Sequence, residues 1–545
     1  MKTKIMILMA MLLATGMLYG TAVGQSPPIP SEEQPEVLTQ GPVNEAFAQP
    51  VSLDAQSSFT APERPPAHID EIPPSERPEG GQFAWVPGYW AWDSDRDGYI
   101  WVSGCWRAVP PGRYWVPGYW AQMEDGWQWA AGFWAPVGNQ EISYLPAPPE
   151  LTNVEAQGPP PSPDRIWVPP CWYWHQGQYI RRPGYWITAQ PDWVWVPSHY
   201  IRTPRGYVFA DGHWDYTLDR RGVLFAPIYF PNHSYERPGF SYGLSIVLNV
   251  GNLELSLFTR PSYGHYYFGD YYDSRYISIG IFPWFMFEQR HTWYDPIYVQ
   301  NRWRRHRAEP QWERNQRREY DRRRDDRTLR PPRTYREMEK RMAKMPESRR
   351  RSFEIAEPVT RMATRKSEPF KFQQIKPEAR KQIAKHSNDV HKFVQERSQW
   401  ESKGPGHQDR NAVMEKTPVI KHKDRQPVEH KPDKSVMKVP PAVEHRVMPP
   451  VKHKRQEMKS PERMEQVPAQ DSRRGQTPAR GREEAATSSQ RQKPSVSETG
   501  RNQPDKVKIR TSPVADKEGR GSSKKKPPTQ PTEEEKDLSR KGKHE

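Results

Sequence analysis

The sequence predicts a mostly β protein, with aromatic-rich antiparallel β-meander repeats, an appended β-hairpin and then a long disordered basic tail. Three observations carry that prediction. The phrase WVPGYW stands intact at Trp85–Trp90 and at Trp115–Trp120 and returns in altered form seven more times. The residues entering each copy alternate aromatic, other, aromatic, as in Trp127, Gln128, Trp129, which is the period of a strand with one buried face. Of 22 Trp, 17 fall between Trp85 and Trp214, in a chain that is only 34% hydrophobic, 27% charged and carries 60 Pro in 545 residues. Such a composition fits a local core flanked by polar, disordered stretches.

The nine copies align on one position, filled in order by Gly88, Gly104, Gly118, Gly132, Pro170, Gly184, Ser198, Gly212 and Ile228, with spacings of 16, 14, 14, 38, 14, 14, 14 and 16. Three residues before this anchor stand Trp85, Trp101, Trp115, Trp129, Trp167, Arg181, Trp195, Phe209 and Phe225. Two residues after it stand Trp90, Trp106, Trp120, Trp134, Trp172, Trp186, Tyr200, Trp214 and Phe230. Arg181 alone breaks the aromatic columns. A 14-residue unit is too short for a helix pair and fits two strands of about five residues with two turns. Val-Pro-Gly-Tyr reads as a type II turn, with Pro where φ is preset and Gly where φ must be positive. The second turn varies, as in DSDRDG from Asp93 and MEDG from Met123. The expected product is a meander in which equivalent aromatics stack from unit to unit and bury large area on short strands.

Over residues 83–230 these motifs resemble the bacterial secreted proteins with YXWGXW-type repeats. The resemblance implies export and a repeat scaffold, with no established activity, cofactor or catalytic role attached. The chain departs from the pattern at Pro170, Ser198 and Ile228, where the turn type stays open.

Taken in order, residues 1–24 carry Lys2 and Lys4, an apolar run from Ile5 to Leu18 and Ala22-Val23-Gly24 before Gln25, the pattern of a secretory signal peptide. Export to the periplasm, cell surface or medium is therefore expected. No later stretch approaches the ~20 apolar residues of a transmembrane span, and strands of about five residues are too short for a membrane barrel. Residues 25–82, rich in Pro, Glu, Ser and Gln, read as a disordered linker. The repeat region 83–230 is interrupted by a Pro-rich insert, 136–163, that joins two arrays of four and five copies. Residues 231–300 hold two alternating runs, from Ser241 and from Leu253, around Gly251-Asn252, which reads as a hairpin followed by a Tyr/Gly-rich apron that caps the array. From 301 to 545 the chain reads as a basic, mostly disordered tail. Its first fifty residues hold 19 Lys plus Arg against 9 Asp plus Glu. One amphipathic helix is expected between Lys376 and Ser402, using Ile383, Val390, Phe393 and Trp400.

Two constellations are candidates for binding chemistry. Asp93, Asp95 and Asp97, followed by Gly98, match the first half of an EF-hand-type calcium loop, but position twelve is Gly104 rather than a bidentate Glu. The competing reading is an Asp-rich hairpin turn. Cys105 and Cys171 occupy the same place after the anchor in different arrays, which makes them candidate disulfide partners in an oxidising compartment if the arrays face each other. His199 and His213 share that column, yet units ~9.6 Å apart along a sheet cannot place four ligands on one zinc. No nucleophile elbow, phosphate loop or zinc-protease motif stands in a recognisable context, so no enzyme is expected. The expected function is a secreted, envelope-associated structural or interaction scaffold, tethered by its basic tail to anionic cell-envelope polymers. The alternative is a glycan-binding module that stacks sugar rings on exposed Trp and Tyr faces. Nucleic acid is disfavoured as a partner by export.

Overall fold

The computed structural model describes residues 34–138, 141–287, 291–306, 308–365 and 368–404. The expected signal peptide and the tail beyond 404 lie outside the described residues. What is described is mostly strand, arranged in many small sheets whose pairings are antiparallel with one exception.

Successive copies of the repeat pair off into bent hairpins. In the first, Tyr89–Asp93 turns back onto Gly98–Val102, and further down Phe83–Val86 pairs with Cys105–Ala108. The same two-tier pattern joins Tyr119–Met123 to Gly126–Ala130 and Arg113–Val116 to Phe133–Pro136 in the second. Cys171–His175 with Gln178–Arg182, and Arg165–Val168 with Tyr185–Thr188, make the third. His199–Thr203 with Gly206–Ala210, and Trp193–Val196 with His213–Tyr216, make the fourth. The unpaired ninth copy returns to the first hairpin, where Gly222–Leu224 adds to Cys105–Ala108 and Ile228 meets Trp101. Chain reversal therefore occurs only at the variable turn.

This corrects the type II turn expected at Val-Pro-Gly. None of the anchor glycines has positive φ; the left-handed residues sit at the reversals, at Asp97 (49°) and Gly206 (140°) among others. Pro at 87 and 117 withholds a ladder N–H. The strand breaks there and continues in a new direction instead of folding back.

Residues 34–82 are not a disordered linker. They run as short edge strands around the hairpins: Glu36–Val37 on Ile228–Tyr229, Thr60–Ala61 on Trp127–Gln128, and Val51–Ser52 on Trp293–Tyr294. Leu38, Val43, Phe47 and Ile69 are buried there. A Pro-rich chain suits this role because an edge strand needs hydrogen bonds on one side only. The insert is anchored as well, through Tyr144–Leu145 paired with Tyr207 and Val208.

The hairpin expected around Gly251-Asn252 is also corrected. Val250–Leu253 forms a helical turn, Ile246–Leu248 pairs with Ala356–Pro358, and the hairpin lies later, at Leu257–Arg260 and His265–Phe268. Gly264 (φ 69°) closes it in the left-handed conformation that glycine adopts without strain. The apron is core: Tyr263, Tyr267, Tyr271, Tyr272 and Tyr276 pack with Trp92, Trp120 and Trp129.

Residues 301–404 are helical rather than mostly disordered. Helices Trp312–Asp325 and Tyr335–Ala343 bury Trp312 and Met338 in the main core, and Pro377–Glu401 fills the span between Lys376 and Ser402 where an amphipathic helix is expected. Among the described residues no helix is long and apolar enough to cross a membrane. A buried ion-pair cluster locks the first and fourth hairpins to the N-terminal segment. Arg107 Nη2 donates to both oxygens of Asp215 at 2.6 Å, Arg221 joins at 3.0 Å, and the two guanidinium groups also donate to the carbonyls of Ala46 and Phe47.

Candidate functional site

The aromatic columns meet across each hairpin. Because the strands are antiparallel about the two breaks, the residue three before one anchor faces the residue two after its partner's anchor. Trp85 faces Trp106 with ring centroids 5.1 Å apart, Trp90 faces Trp101 at 5.3 Å, Trp120 faces Trp129 at 5.2 Å and Trp195 faces Trp214 at 5.1 Å, all edge to face. Trp115 with Trp134 and Trp167 with Trp186 repeat the contact at 5.1 and 5.3 Å. Nine of the thirteen column tryptophans are buried, and Trp115, Trp167, Trp172 and Trp186 are half-buried. The lone non-aromatic residue, Arg181, sits directly opposite Trp172. Both turn outward to the insert, Trp172 Nε1 donating to the Glu150 carbonyl and Arg181 Nη2 to that of Thr152.

At the paired breaks two backbone N–H groups face inward without a ladder partner, and a buried carboxylate takes them. Glu71 accepts from Gly88 N (3.1 Å), Gly104 N (2.9 Å) and Trp101 Nε1 (2.9 Å) in the first hairpin. Glu45 does the same in the second, accepting from Gly118 N (3.0 Å), Gly132 N (3.1 Å) and Trp129 Nε1 (3.2 Å). In the fourth, Ser198 stands at the anchor and its own Oγ accepts from Gly212 N at 2.9 Å. In the third, Pro170 has no N–H to satisfy. Among the paired copies, the two departures from the glycine pattern, Pro170 and Ser198, thus fall in the two hairpins without a glutamate.

Burial pushes the Glu45 and Glu71 carboxyls up to about 7 against the lowering effect of their N–H donors. The sequence signalled neither residue. Each is a single Glu in a stretch whose composition reads as linker, and its role exists only once four distant strands close around it.

The carbonyl side of the breaks faces the 377–401 helix. His391 Nε2 donates to Gly88 O at 3.3 Å and, two turns on, Arg397 Nη1 donates to Pro117 O at 3.0 Å. His391 stacks on His68 with centroids 4.0 Å apart and planes 8° from parallel. Burial lowers both imidazoles, to about 3 for His68 and about 4 for His391, so the stacked pair is neutral. Arg397 Nε donates to Glu401 at 2.5 Å, and Tyr119 and Tyr144 donate their hydroxyls to the same carboxylate.

The three aspartates of the calcium candidate are not brought together around a common point. Asp93 and Arg96 pair across the turn at 2.7 Å. Asp95 reaches another region altogether, taking hydrogen bonds from Gln40, from the Tyr276 hydroxyl at 2.7 Å and from Arg275 and Arg333 at 3.0 and 3.4 Å. Asp97 supplies the left-handed turn residue. Among the described residues no group of three or more His, Cys, Asp or Glu is placed to hold a metal ion, His199 and His213 included. The disulfide candidate is corrected too: Cys105 and Cys171 are both free and buried, and burial pushes each thiol up to about 12. Cys105 belongs to the main core, whereas Cys171 borders a small crevice with Trp172, Ser198 and Tyr200.

Compared with protein-family models, with curated proteins and with solved structures, the chain matches none.

Proposed function

We propose that this chain is a non-catalytic, envelope-associated scaffold that is exported and held on acidic surface polymers by its arginine-rich face. The observation that carries the reading is the fate of the aromatic columns. Most of their tryptophans are paired with one another and buried, so they serve as core, while most of the described arginines of the 301–350 region are exposed. Attraction between such groups and a polyanion is screened over ~8 Å at physiological ionic strength.

The test uses the full chain, because the 301–404 helices are part of the core. Retention on an acidic polysaccharide should exceed retention on a neutral one at low salt and disappear as salt rises. Equal, salt-independent retention on both would sink the proposal.

A second reading, glycan stacking, is favoured by one hairpin only. The third exposes Trp174 (37%) and Ile180 (43%) and leaves Trp167, Trp172 and Trp186 half-buried. If this hairpin stacks sugars, Trp174→Ala should abolish retention on the neutral polysaccharide and spare the salt-sensitive component.

A further inference from the structure

The third hairpin holds the insert without pairing with it. Four of its side chains each donate to a backbone carbonyl of the insert: the Tyr179 hydroxyl to Pro146 (2.5 Å), Trp172 Nε1 to Glu150 (3.4 Å), Arg181 Nη2 to Thr152 (2.7 Å) and Trp167 Nε1 to Val154 (2.8 Å). Among the described residues no backbone ladder reaches 146–154. Burial along the segment has a period of three. Leu145, Pro148, Leu151 and Val154 are buried or half-buried, and every residue between them is exposed. Three residues per turn is the period of a polyproline II helix. Pro146, Pro148 and Pro149 fix φ and hold the residues before them extended, so the sequence presets that conformation, and Asn153 (φ 53°) ends the run. Pro148 and Leu151 close so tightly on Cys171, Trp172 and Tyr200 that the crevice they line has a volume of only about 20 Å³.

Little in this grip depends on the insert beyond its spacing. The acceptors are main-chain carbonyls, which any strand carries. An aromatic-lined groove that takes an apolar residue at every third position is a receptor for proline-rich strands. The insert reads Leu145-x-x-Pro148-Pro149-x-Leu151. With Leu, Ile, Val or Met at both ends, that spacing occurs once more in the sequence, at Met437-x-x-Pro440-Pro441-x-Val443, outside the described residues. The chain leaves the described part close to the groove. Trp400, near the end of the 377–401 helix, has its ring 5.2 Å from that of Tyr144, whose hydroxyl donates to Glu401 at 2.6 Å. The residues between Gly404 and Met437 span up to about 110 Å when extended, ample for a return to the insert.

We propose that the third hairpin is a groove for proline-rich strands, in which Met437–Val443 of the same chain exchanges with Leu145–Leu151. Either strand keeps the hairpin's tryptophans packed against this chain, and the arginine-rich face takes no part.

Fluorescence anisotropy of a labelled peptide spanning 434–446, titrated with the full chain, tests this. In wild type both strands compete with the peptide. Pro148→Ser with Pro149→Ser weakens the insert and should raise peptide affinity. Adding Pro440→Ser and Pro441→Ser removes the second competitor and should raise it about tenfold further. In that four-site variant, Trp172→Phe with Arg181→Ala deletes two of the four donors and should lower the affinity about tenfold. A peptide with both prolines replaced by serine should not bind. Should the chain with Pro148→Ser and Pro149→Ser not fold, Leu151→Ser, at a half-buried position, weakens the insert in its place. Failure of the peptide to bind the four-site variant, or affinity indifferent either to Pro440→Ser with Pro441→Ser or to loss of the two donors, would overturn the proposal. So would competition that grows with protein concentration and is accompanied by dimers in sedimentation, since the strand would then come from a second copy.

Discussion

At Gly118 an added methyl group would lie 2.5 Å from Glu45 Oε1 and 2.6 Å from Trp129 Cζ2, and at Gly98 it would meet nothing closer than 3.8 Å. Gly118→Ala should therefore destabilise the fold by about 2–3 kcal/mol and Gly98→Ala by well under 1 kcal/mol, read from urea denaturation. Similar costs at both sites would mean that the close approach of Glu45 and Trp129 to Gly118 is not what requires glycine there. The glutamate beneath it has a pH signature whose sign follows from its raised carboxyl. Glu71 shifts from 4.5 to about 7 on folding, so its contribution is most favourable below pH 4.5 and is lost as pH rises through 7. The buried neutral His68 and His391 act the other way, since their lowered values favour the fold above about 6.5 and penalise it below. A wild-type profile mixes the two effects, and a variant separates them. The stability of Glu71→Gln relative to wild type should improve between pH 5 and pH 8, by at most ~3 kcal/mol; a difference that stays constant with pH would contradict the assigned burial. The columns were legible from sequence because a Trp recurring every 14 residues leaves a period. Glu45 and Glu71 were not, because a residue that serves two distant copies at once has no period of its own.

Among the elements, the 377–401 helix was the most legible beyond the repeats, since its apolar residues have helical spacing and Lys376 and Ser402 bound it as expected. Its docking was not legible. His391 and Arg397 act as donors to two carbonyls that become neighbours only when the first and second hairpins lie side by side. Arg397 and Glu401 are both fully buried as a pair. Removing one partner strands the other charge, so Arg397→Ala should cost about 3–5 kcal/mol, whereas replacing both residues by apolar ones of similar size should cost much less. Hydrogen exchange should show Arg397→Ala losing protection in the helix first. Loss spread evenly over the hairpins would mean that the helix is not a separate clamp. The hairpin placed around Gly251-Asn252 failed for a related reason. Its alternating pattern is real, but Ile246–Leu248 finds a partner in Ala356–Pro358, about a hundred residues downstream, and a local turn signal cannot compete with that burial.

For the molecule as a whole, composition misled where a polar, Pro-rich stretch is held by others. Residues 34–82 contain an unbroken buried run, 38–48, supply both carboxylates and cover several sheet edges. Deleting 34–82 should leave the four hairpins unable to fold, seen as loss of near-ultraviolet circular dichroism; a deletion that retains native signal would contradict their role as inserts in the core. The central claim is that the tryptophan columns are packing and that binding belongs to charged groups elsewhere. Acrylamide quenching of tryptophan fluorescence, measured with and without neutral oligosaccharide and again after unfolding, tests this most directly. The account predicts that most emission is shielded in the native protein, becomes accessible only on unfolding and is indifferent to the sugar. Emission that is freely quenched in the native state and protected by neutral oligosaccharide would show that the columns are a binding surface instead.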